Sequence, residues 1–247
     1  TFPSSPRMWR WKPLAQENIE RFKFAVNEAG LGPTVFHAIY LVALGTSDEA
    51  LLQRSIESLT NYMQAAEQLG AAGVIFHPAS HKGAGYEAVE KQMADSINRV
   101  LAASPGHAWL ALETSAGMGD HIGSKFDELG SLVEAIAHPR VRVCLDTQHV
   151  WAAGYDIASR DGSNQTIDLF DKQIGLNKLS AIHVNDSKTP NGSAVDRHEN
   201  IGEGTIGIAG FRTFLAHDAL RNIPLYLEVP GLEGGGPDEE NVKRLKK

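Results

Sequence analysis

Six short apolar runs in this chain each end on a residue able to bind a metal. Val35-Phe36 leads into His37, Val74-Ile75-Phe76 into His77, and Leu110-Ala111-Leu112 into Glu113. Val143-Cys144-Leu145 leads into Asp146, Ala181-Ile182 into His183, and Leu225-Tyr226-Leu227 into Glu228. Successive ends lie 40, 36, 33, 37 and 45 residues apart. Each interval fits one strand, one loop and one helix, the repeat of a parallel sheet with helical crossovers. In such a sheet all strand C-termini lie on one face, where barrel enzymes keep their chemistry. Asp, Glu and His make up 40 of 247 residues, so about one position in six would match by chance. Six matches in six, none of them Lys or Arg, exceed that rate.

The bulk properties fit the same fold class. The length suits one α/β barrel or two small domains; no linker or composition break interrupts residues 1–247, so a single domain is expected. A hydrophobic content of 42% supports a large core. No apolar stretch approaches the roughly 20 residues of a membrane span, so no membrane partner is expected. Cys144 is the only cysteine, which rules out an intrachain disulfide and fits a reducing compartment. The net charge of -7 argues against a generic nucleic-acid binder. Three bound divalent ions would add six positive charges and bring it to about -1, so the sign at a metal-lined mouth can differ from that of the chain.

Helix signals fill the intervals. Residues 14–29 read as an amphipathic helix stopped by Gly30-Leu31-Gly32-Pro33, and residues 48–69 as a long helix between a Ser47 or Asp48 cap and Gly70. Residues 87–103, 125–137, 167–175, 211–220 and 239–246 are the other candidates. Gly234-Gly235-Gly236 reads as a surface turn. This makes six βα units where a closed barrel needs eight strands. The opening Thr1-Phe2-Pro3 reads as the end of a strand already under way.

Two further motifs enlarge the ligand set. Asp146-Thr147-Gln148-His149 places a histidine three residues after a strand-end aspartate, and Asp196-Arg197-His198 places two ligand types on alternate residues of an extended loop. The set is then five His, two Asp and two Glu, a nitrogen and oxygen donor mix without thiolate that suits zinc or manganese. Nine ligands exceed the need of one tetrahedral ion. They suit three ions with bridging carboxylates, or one or two ions with several supporting residues. Clustered ions point to chemistry at phosphate, while a lone ion would equally serve isomerisation or acyl hydrolysis.

Several blocks carry a family resemblance. They are His37-Ala38-Ile39-Tyr40-Leu41, Phe76-His77-Pro78-Ala79-Ser80-His81 and Leu112-Glu113-Thr114-Ser115-Ala116-Gly117-Met118-Gly119. Cys144-Leu145-Asp146-Thr147-Gln148-His149, Ala153-Gly154-Tyr155-Asp156 and His183-Val184-Asn185-Asp186-Ser187-Lys188 follow. Val195-Asp196-Arg197-His198, Gly202-Glu203-Gly204-Thr205-Ile206-Gly207 and Leu227-Glu228 complete the series. In this order, over nearly the whole chain, they resemble endonuclease IV, the zinc-dependent apurinic/apyrimidinic endonuclease family with a TIM barrel fold. The Asp-Arg-His block with Gly-Glu-Gly-x-Ile-Gly is the most specific.

The resemblance implies a base excision repair hydrolase that cuts DNA 5′ to an abasic site and leaves a 3′-hydroxyl and a 5′-deoxyribose phosphate. It implies three zinc ions per chain, with manganese as a partial alternative. His37, His77 and Glu113 would hold the first. Glu113 would bridge to a second held by Asp146, His183 and Glu228, and His149, Asp196 and His198 would hold the third. A hydroxide between the first two ions would attack the phosphate, with Glu228 orienting or deprotonating it. Arg7, Tyr40 and Leu41 fall where the family places residues in the base stack and minor groove of duplex DNA. An abasic sugar has no base to unstack, so extruding it costs little, and bulky side chains can fill the gap. Lys82, Lys125, Lys188 and Arg197 sit in strand-end loops and could meet phosphates without reading sequence.

Two departures from the family pattern stand out. An N-terminal Gly-x-His-x-Ser strand and its helix are absent, so the expected fold is a TIM (β/α)8-type barrel lacking its first strand–helix unit and most of its second strand. Gln148 stands where the family commonly has cysteine, with little expected effect. A monomer is expected, in the cytoplasm near the nucleoid of a bacterium or in the nucleus of a eukaryote.

Each candidate has an ordinary alternative. His37 or His77 alone would read as a hydrogen-bonded barrel histidine, Asp146 as a loop cap, and Glu113 or Glu228 as an ion-pair partner. Tyr40-Leu41 could be loop cover, and the four tryptophans read as packing. His81 reads as a loop or supporting residue, and His107, His121, His138 and His217 receive no role. Gly202-x-Gly204-x-x-Gly207 follows no strand directly, which excludes a dinucleotide loop. The competing functions are a single-metal sugar isomerase or epimerase of related barrel type, and a catalytically dead DNA-damage binder. His149 and the Asp196-Arg197-His198 loop favour the nuclease, because a one-metal sugar enzyme does not need them.

Overall fold

The computed structural model describes Trp9 and residues 11–246. The expected strand end at Thr1-Phe2-Pro3 and the candidate DNA contact Arg7 lie outside the described residues. The chain divides into two compact units. One holds the described residues up to Glu113 together with Leu132–Arg142; the other holds Thr114–Ser131 and the chain from Val143 on.

The elements alternate as the intervals require. They run α1 (Gln16–Glu28), β1 (Val35–His37), α2 (Glu49–Leu69), β2 (Gly73–Phe76), α3 (Tyr86–Ala103), β3 (Trp109–Glu113), α4 (Phe126–Ile136) and β4 (Val141–Asp146). Then come α5 (Thr147–Ala152), α6 (Arg160–Gln173), β5 (Leu179–His183), β6 (Asp186–Ser187) and β7 (His198–Glu199). The series closes with α7 (Gly207–Leu215), β8 (Leu225–Tyr226) and α8 (Glu239–Leu245).

In the first unit β1 pairs with β2 and β2 with β3, all parallel. These strands are apolar on both faces: Val74, Ile75, Phe76, Leu110, Ala111 and Leu112 are all buried. That is the burial expected of a parallel sheet covered by helices. α2 supplies cover through Leu52, Ile56, Leu59, Met63 and Ala66, spaced four and three residues apart on one face. Full burial of Leu59 and Met63 contributes about 1.5–3 kcal/mol each. The helix starts where Asp48 accepts a hydrogen bond from the Leu51 N–H and stops at Gly70, whose left-handed φ of 71° closes the last turn. Gly73 lies opposite Trp109 in the β2–β3 register, and a Cβ there would collide with the indole.

In the second unit β4, β5 and β8 pair in parallel, and the register sets Asp146 beside His183. Phe170 of α6 with Phe211 and Phe214 of α7 are buried. A two-residue antiparallel ladder, β6 with β7, sets Ser187 opposite His198 and follows the end of β5.

Some element boundaries differ from the sequence expectation. α6 begins at Arg160, seven residues before the expected start at Ile167. Its first turns are polar and include Gly162, so they lack an apolar period; Ser159 caps them by accepting from the Gly162 N–H. The stretch expected as one helix over 211–220 is α7, which begins at Gly207 and ends at Leu215, followed by a separate 3-10 turn at Asp218–Leu220. His217 makes that break, its side chain accepting from the Ala219 N–H. β8 ends at Tyr226, two residues before Glu228. The short helix α5 has no counterpart among the expected helices. It starts because Asp146, the last residue of β4, caps it by accepting from the His149 N–H.

Candidate metal centre

In the first unit the ends of three adjacent parallel strands bring His37, His77 and Glu113 together. Glu113 is fully buried and His37 nearly so. His37 Nδ1 lies 2.8 Å from its neighbour's carbonyl, Ala38 O, so Nδ1 carries the hydrogen. The other ring nitrogen, Nε2, lies 2.9 Å from Glu113 Oε2. A neutral ring that donates from Nδ1 keeps a lone pair on Nε2, and a lone pair does not approach a carboxylate so closely on its own. A proton or a metal cation shared between them reconciles the two. His77 Nδ1 lies 3.7 Å from the same Glu113 oxygen.

The second unit repeats the arrangement. His149 Nδ1 lies 2.7 Å from Thr114 O, and its Nε2 lies 3.5 Å from Asp196 Oδ2. His198 Nδ1 lies 3.2 Å from Glu228 O, and its Nε2 lies 3.4 Å from Asp196 Oδ1 and 3.9 Å from Asp146 Oδ2. Each ring is thus fixed by a backbone carbonyl on one side and presents Nε2 to carboxylates on the other. The Nε2 of His198 is buried and makes no hydrogen bond among the described residues. Asp146, His149 and His198 each offer a ligand atom within 4.8 Å of the others. His183 Nδ1 lies 3.2 Å from Glu228 Oε2 and 3.9 Å from Asp146 Oδ2.

These separations can be compared with metal coordination. Bonds of about 2.0–2.1 Å in a tetrahedron hold two zinc ligand atoms about 3.3 Å apart. Three of the pairs above, His149–Asp196, His198–Asp196 and His183–Glu228 at 3.5, 3.4 and 3.2 Å, lie near that figure, too long for strong hydrogen bonds and short enough for shared coordination. The buried His198 Nε2, without a hydrogen bond, and the His37 Nε2 turned onto a carboxylate both fit a cation. So does the chemistry: a fully buried Asp146 or Glu113 carboxylate is costly without opposite charge.

Local hydrogen bonds aim these groups. Asp146 Oδ1 accepts from His149 N at 2.9 Å and Oδ2 from Asn185 Nδ2 at 2.6 Å. Thr114 Oγ1 accepts from Asp146 N at 2.9 Å. Asp186, also fully buried, gathers the Gly202–Gly207 loop by accepting from the backbone N–H groups of Gly202, Gly204, Ile206 and Gly207. A Cβ on Gly204 would collide with Ser187 O and Asp186 Oδ1, so the loop closes only with glycine there. Burial pushes the Tyr226 hydroxyl up to about 12, and it stays protonated beside His183, whose ring it meets edge-on.

The candidate DNA contacts Tyr40 and Leu41 follow β1; Tyr40 is 60% exposed and Leu41 half-buried. Lys82 and Lys188 lie in strand-end loops, as do Lys125 and Arg197, and Lys125 pairs with Glu128 at 2.8 Å. Gln148 is fully buried, and its Nε2 donates to Val195 O at 2.9 Å, tying α5 to the residue before Asp196. The orienting roles of Thr114, Asn185 and Asp186 have no spacing signal in the sequence. The one hint is their adjacency to ligand residues in the Glu113 and His183 blocks.

A family model described as Xylose isomerase-like TIM barrel matches residues 2–247. The probable endonuclease 4 of Natronomonas pharaonis is 38% identical over 245 residues, covering 99% of this chain and 87% of that protein. The crystal structure of endonuclease IV from Thermus thermophilus superposes with a TM-score of 0.85 at 35% identity, covering 99% of this chain and 86% of that one. A D-tagatose 3-epimerase-like protein shares the fold at 16% identity, with a TM-score of 0.70 and coverage of 94% and 81%. The sugar-epimerase likeness thus extends to the fold alone, whereas the likeness to endonuclease 4 and endonuclease IV holds at 38% and 35% identity over 99% of this chain, and this chain belongs to the endonuclease IV family of xylose isomerase-like TIM barrels.

Proposed function

We propose that this protein is a metal-dependent phosphodiesterase of base excision repair that incises duplex DNA 5′ to abasic sites, leaving a 3′-hydroxyl and a 5′-deoxyribose phosphate. The observation that carries this reading is the His149, Asp196 and His198 group. His198 presents a buried Nε2 to Asp196 and Asp146 without a hydrogen bond among the described residues, and a one-metal sugar isomerase needs no such group. The names and identities of the relatives support the same reading.

The ligand assignment is three zinc ions per chain, with manganese able to replace some. His37, His77 and Glu113 would hold one; Asp146, His183 and Glu228 would hold a second; His149, Asp196 and His198 would hold the third. When bound, such ions supply a water that ionises near neutral pH and polarise the phosphoryl oxygens. The side chains do the rest. Glu228 keeps a third of its side chain exposed, which suits a carboxylate that orients the attacking water and takes its proton. Tyr40 and Leu41 fill the gap beside the extruded sugar. Lys82, Lys188 and Arg197 contact phosphates in a sequence-independent way. The protein acts as a monomer in the compartment that holds the DNA; no described helix is long and apolar enough to cross a membrane.

The test is incision of a duplex carrying a single abasic site, without added magnesium, by protein whose metal content has been measured. Cleavage 5′ to the site with about three ions per chain is expected. Keto-sugar isomerisation without incision, at a steady content of one ion, would overturn the proposal.

A further inference from the structure

The three residues assigned to the second ion, Asp146, His183 and Glu228, come from the ends of β4 and β5 and from just beyond β8 in the second unit. One side chain links them. Asn185 is fully buried and lies two residues beyond His183. Its Nδ2 donates to Asp146 Oδ2 at 2.6 Å, and its Oδ1 accepts from the Glu228 backbone N–H at 2.8 Å. The amide cannot be turned over, because the end facing the carboxylate must donate and the end facing the N–H must accept.

The backbone of Asn185 is held equally firmly. Thr147 Oγ1 donates to Asn185 O at 2.7 Å and accepts from Asn185 N at 2.8 Å. Thr147 follows Asp146 directly and is itself fully buried. Asp146 therefore has one oxygen held by His149 N and the other by Asn185 Nδ2, which stops its carboxylate rotating. The remaining lone pairs are left for a cation.

We propose that Asn185 is the positioning residue for the Asp146–His183–Glu228 ion: it sets the rotation of the Asp146 carboxylate and the approach of the Glu228 backbone through one amide. This rests on the assignment of those three residues to one ion. Outer hydrogen-bond partners of metal ligands typically change metal affinity or activity about 10–100-fold when removed.

The test uses Asn185→Asp, which keeps the shape and the acceptor for Glu228 N–H but sets a carboxylate oxygen against Asp146 Oδ2. Zinc is titrated into metal-stripped protein against a chromogenic chelator, alongside thermal unfolding and kinetics on an abasic duplex. The expected result is about 10–100-fold weaker binding of one ion, with the others and the duplex Kd within about threefold of wild type. kcat falls at least about tenfold with KM little changed. If Asn185→Asp does not fold, Thr147→Val and Thr147→Ser take its place. Loss of the hydroxyl weakens the same ion, and serine restores it.

Zinc affinities and kcat within about twofold of wild type in Asn185→Asp would overturn the proposal. So would a uniform weakening of all ions that tracks a fall in Tm, which marks a purely structural residue. Should Asn185→Asp fail to fold, wild-type zinc affinities in Thr147→Val would overturn it equally. Failure of the wild type to incise DNA would sink the nuclease reading instead, while the zinc titration would still decide the role of Asn185.

Discussion

His198 condenses the chemistry of the site into one ring. Its Nδ1 is fixed on the Glu228 carbonyl, and its buried Nε2 faces two aspartates without a hydrogen bond among the described residues. Replacing it with alanine should remove one ion of the set and lower incision about 100-fold or more, as metal analysis and initial rates would show. An unchanged metal content in His198→Ala would take the residue out of the ligand set. Glu228 behaves differently because its carboxylate is partly exposed while its backbone is anchored on Asn185. Glu228→Gln should bind an abasic duplex within about threefold of wild type yet incise it at least about 100-fold more slowly. Equal rates for the two proteins would remove Glu228 from the mechanism. His37, His77, Glu113, Asp146 and His183 are readable as candidates because each ends an apolar run. The hydrogen bonds that orient them are not readable, because their partners lie far off in the chain: Thr114 is 32 residues from Asp146, and Asn185 is 39.

Among the elements, the strands and long helices follow local rules, and the exceptions have named causes. β2 and β3 meet at Gly73 and Trp109, where the indole occupies the space of a Cβ. Gly73→Ala should destabilise the protein by about 1–3 kcal/mol, read as a lower urea midpoint at unchanged m-value. A midpoint equal to wild type would mean that the Trp109 ring moves aside without cost. The start of α6 is set by Asp156 and Ser159, not by apolar periodicity. Burial pushes the Asp156 carboxyl up, but hydrogen bonds from the Ser159 hydroxyl and N–H and the Ala158 N–H outweigh it and leave it below its usual 3.8. A carboxyl lowered on folding stabilises the protein above its unfolded pKa and loses that contribution as pH falls through the folded value. Asp156→Ala should therefore cost about 1 kcal/mol at neutral pH, with the difference from wild type shrinking below about pH 4. A difference independent of pH down to the acid transition would show that the charge is not what matters.

For the whole molecule, metal and charge set the behaviour. Ligands that bind only the folded chain stabilise it by mass action, by about 2.7 kcal/mol for each ion present at 100 times its Kd. Chelation should lower Tm by several degrees and abolish incision together, and zinc should restore both; a Tm indifferent to chelator would mean that the ions contribute nothing to folding. The chain itself carries a charge of -7, so duplex binding should depend on salt through a few lysines and arginines of the strand-end loops and weaken further when the ions are removed. The sequence by itself determined the strand–helix alternation, the six ligand candidates at or just past the strands, and the family blocks, because parallel strands buried on both faces must be written as unbroken apolar runs and their ends as short local motifs. Short-range caps that no apolar period registers set where α6 starts, through Asp156 and Ser159, and why α5 forms, through Asp146 and the His149 N–H. The tertiary structure alone decided which ring nitrogen of His149 and of His198 faces a carboxylate, and that Asn185 and Asp186 hold the loops. Those outcomes depend on hydrogen bonds between side chains and backbone groups remote in sequence, whose pairing no residue pattern encodes until the strands bring them within about 3 Å.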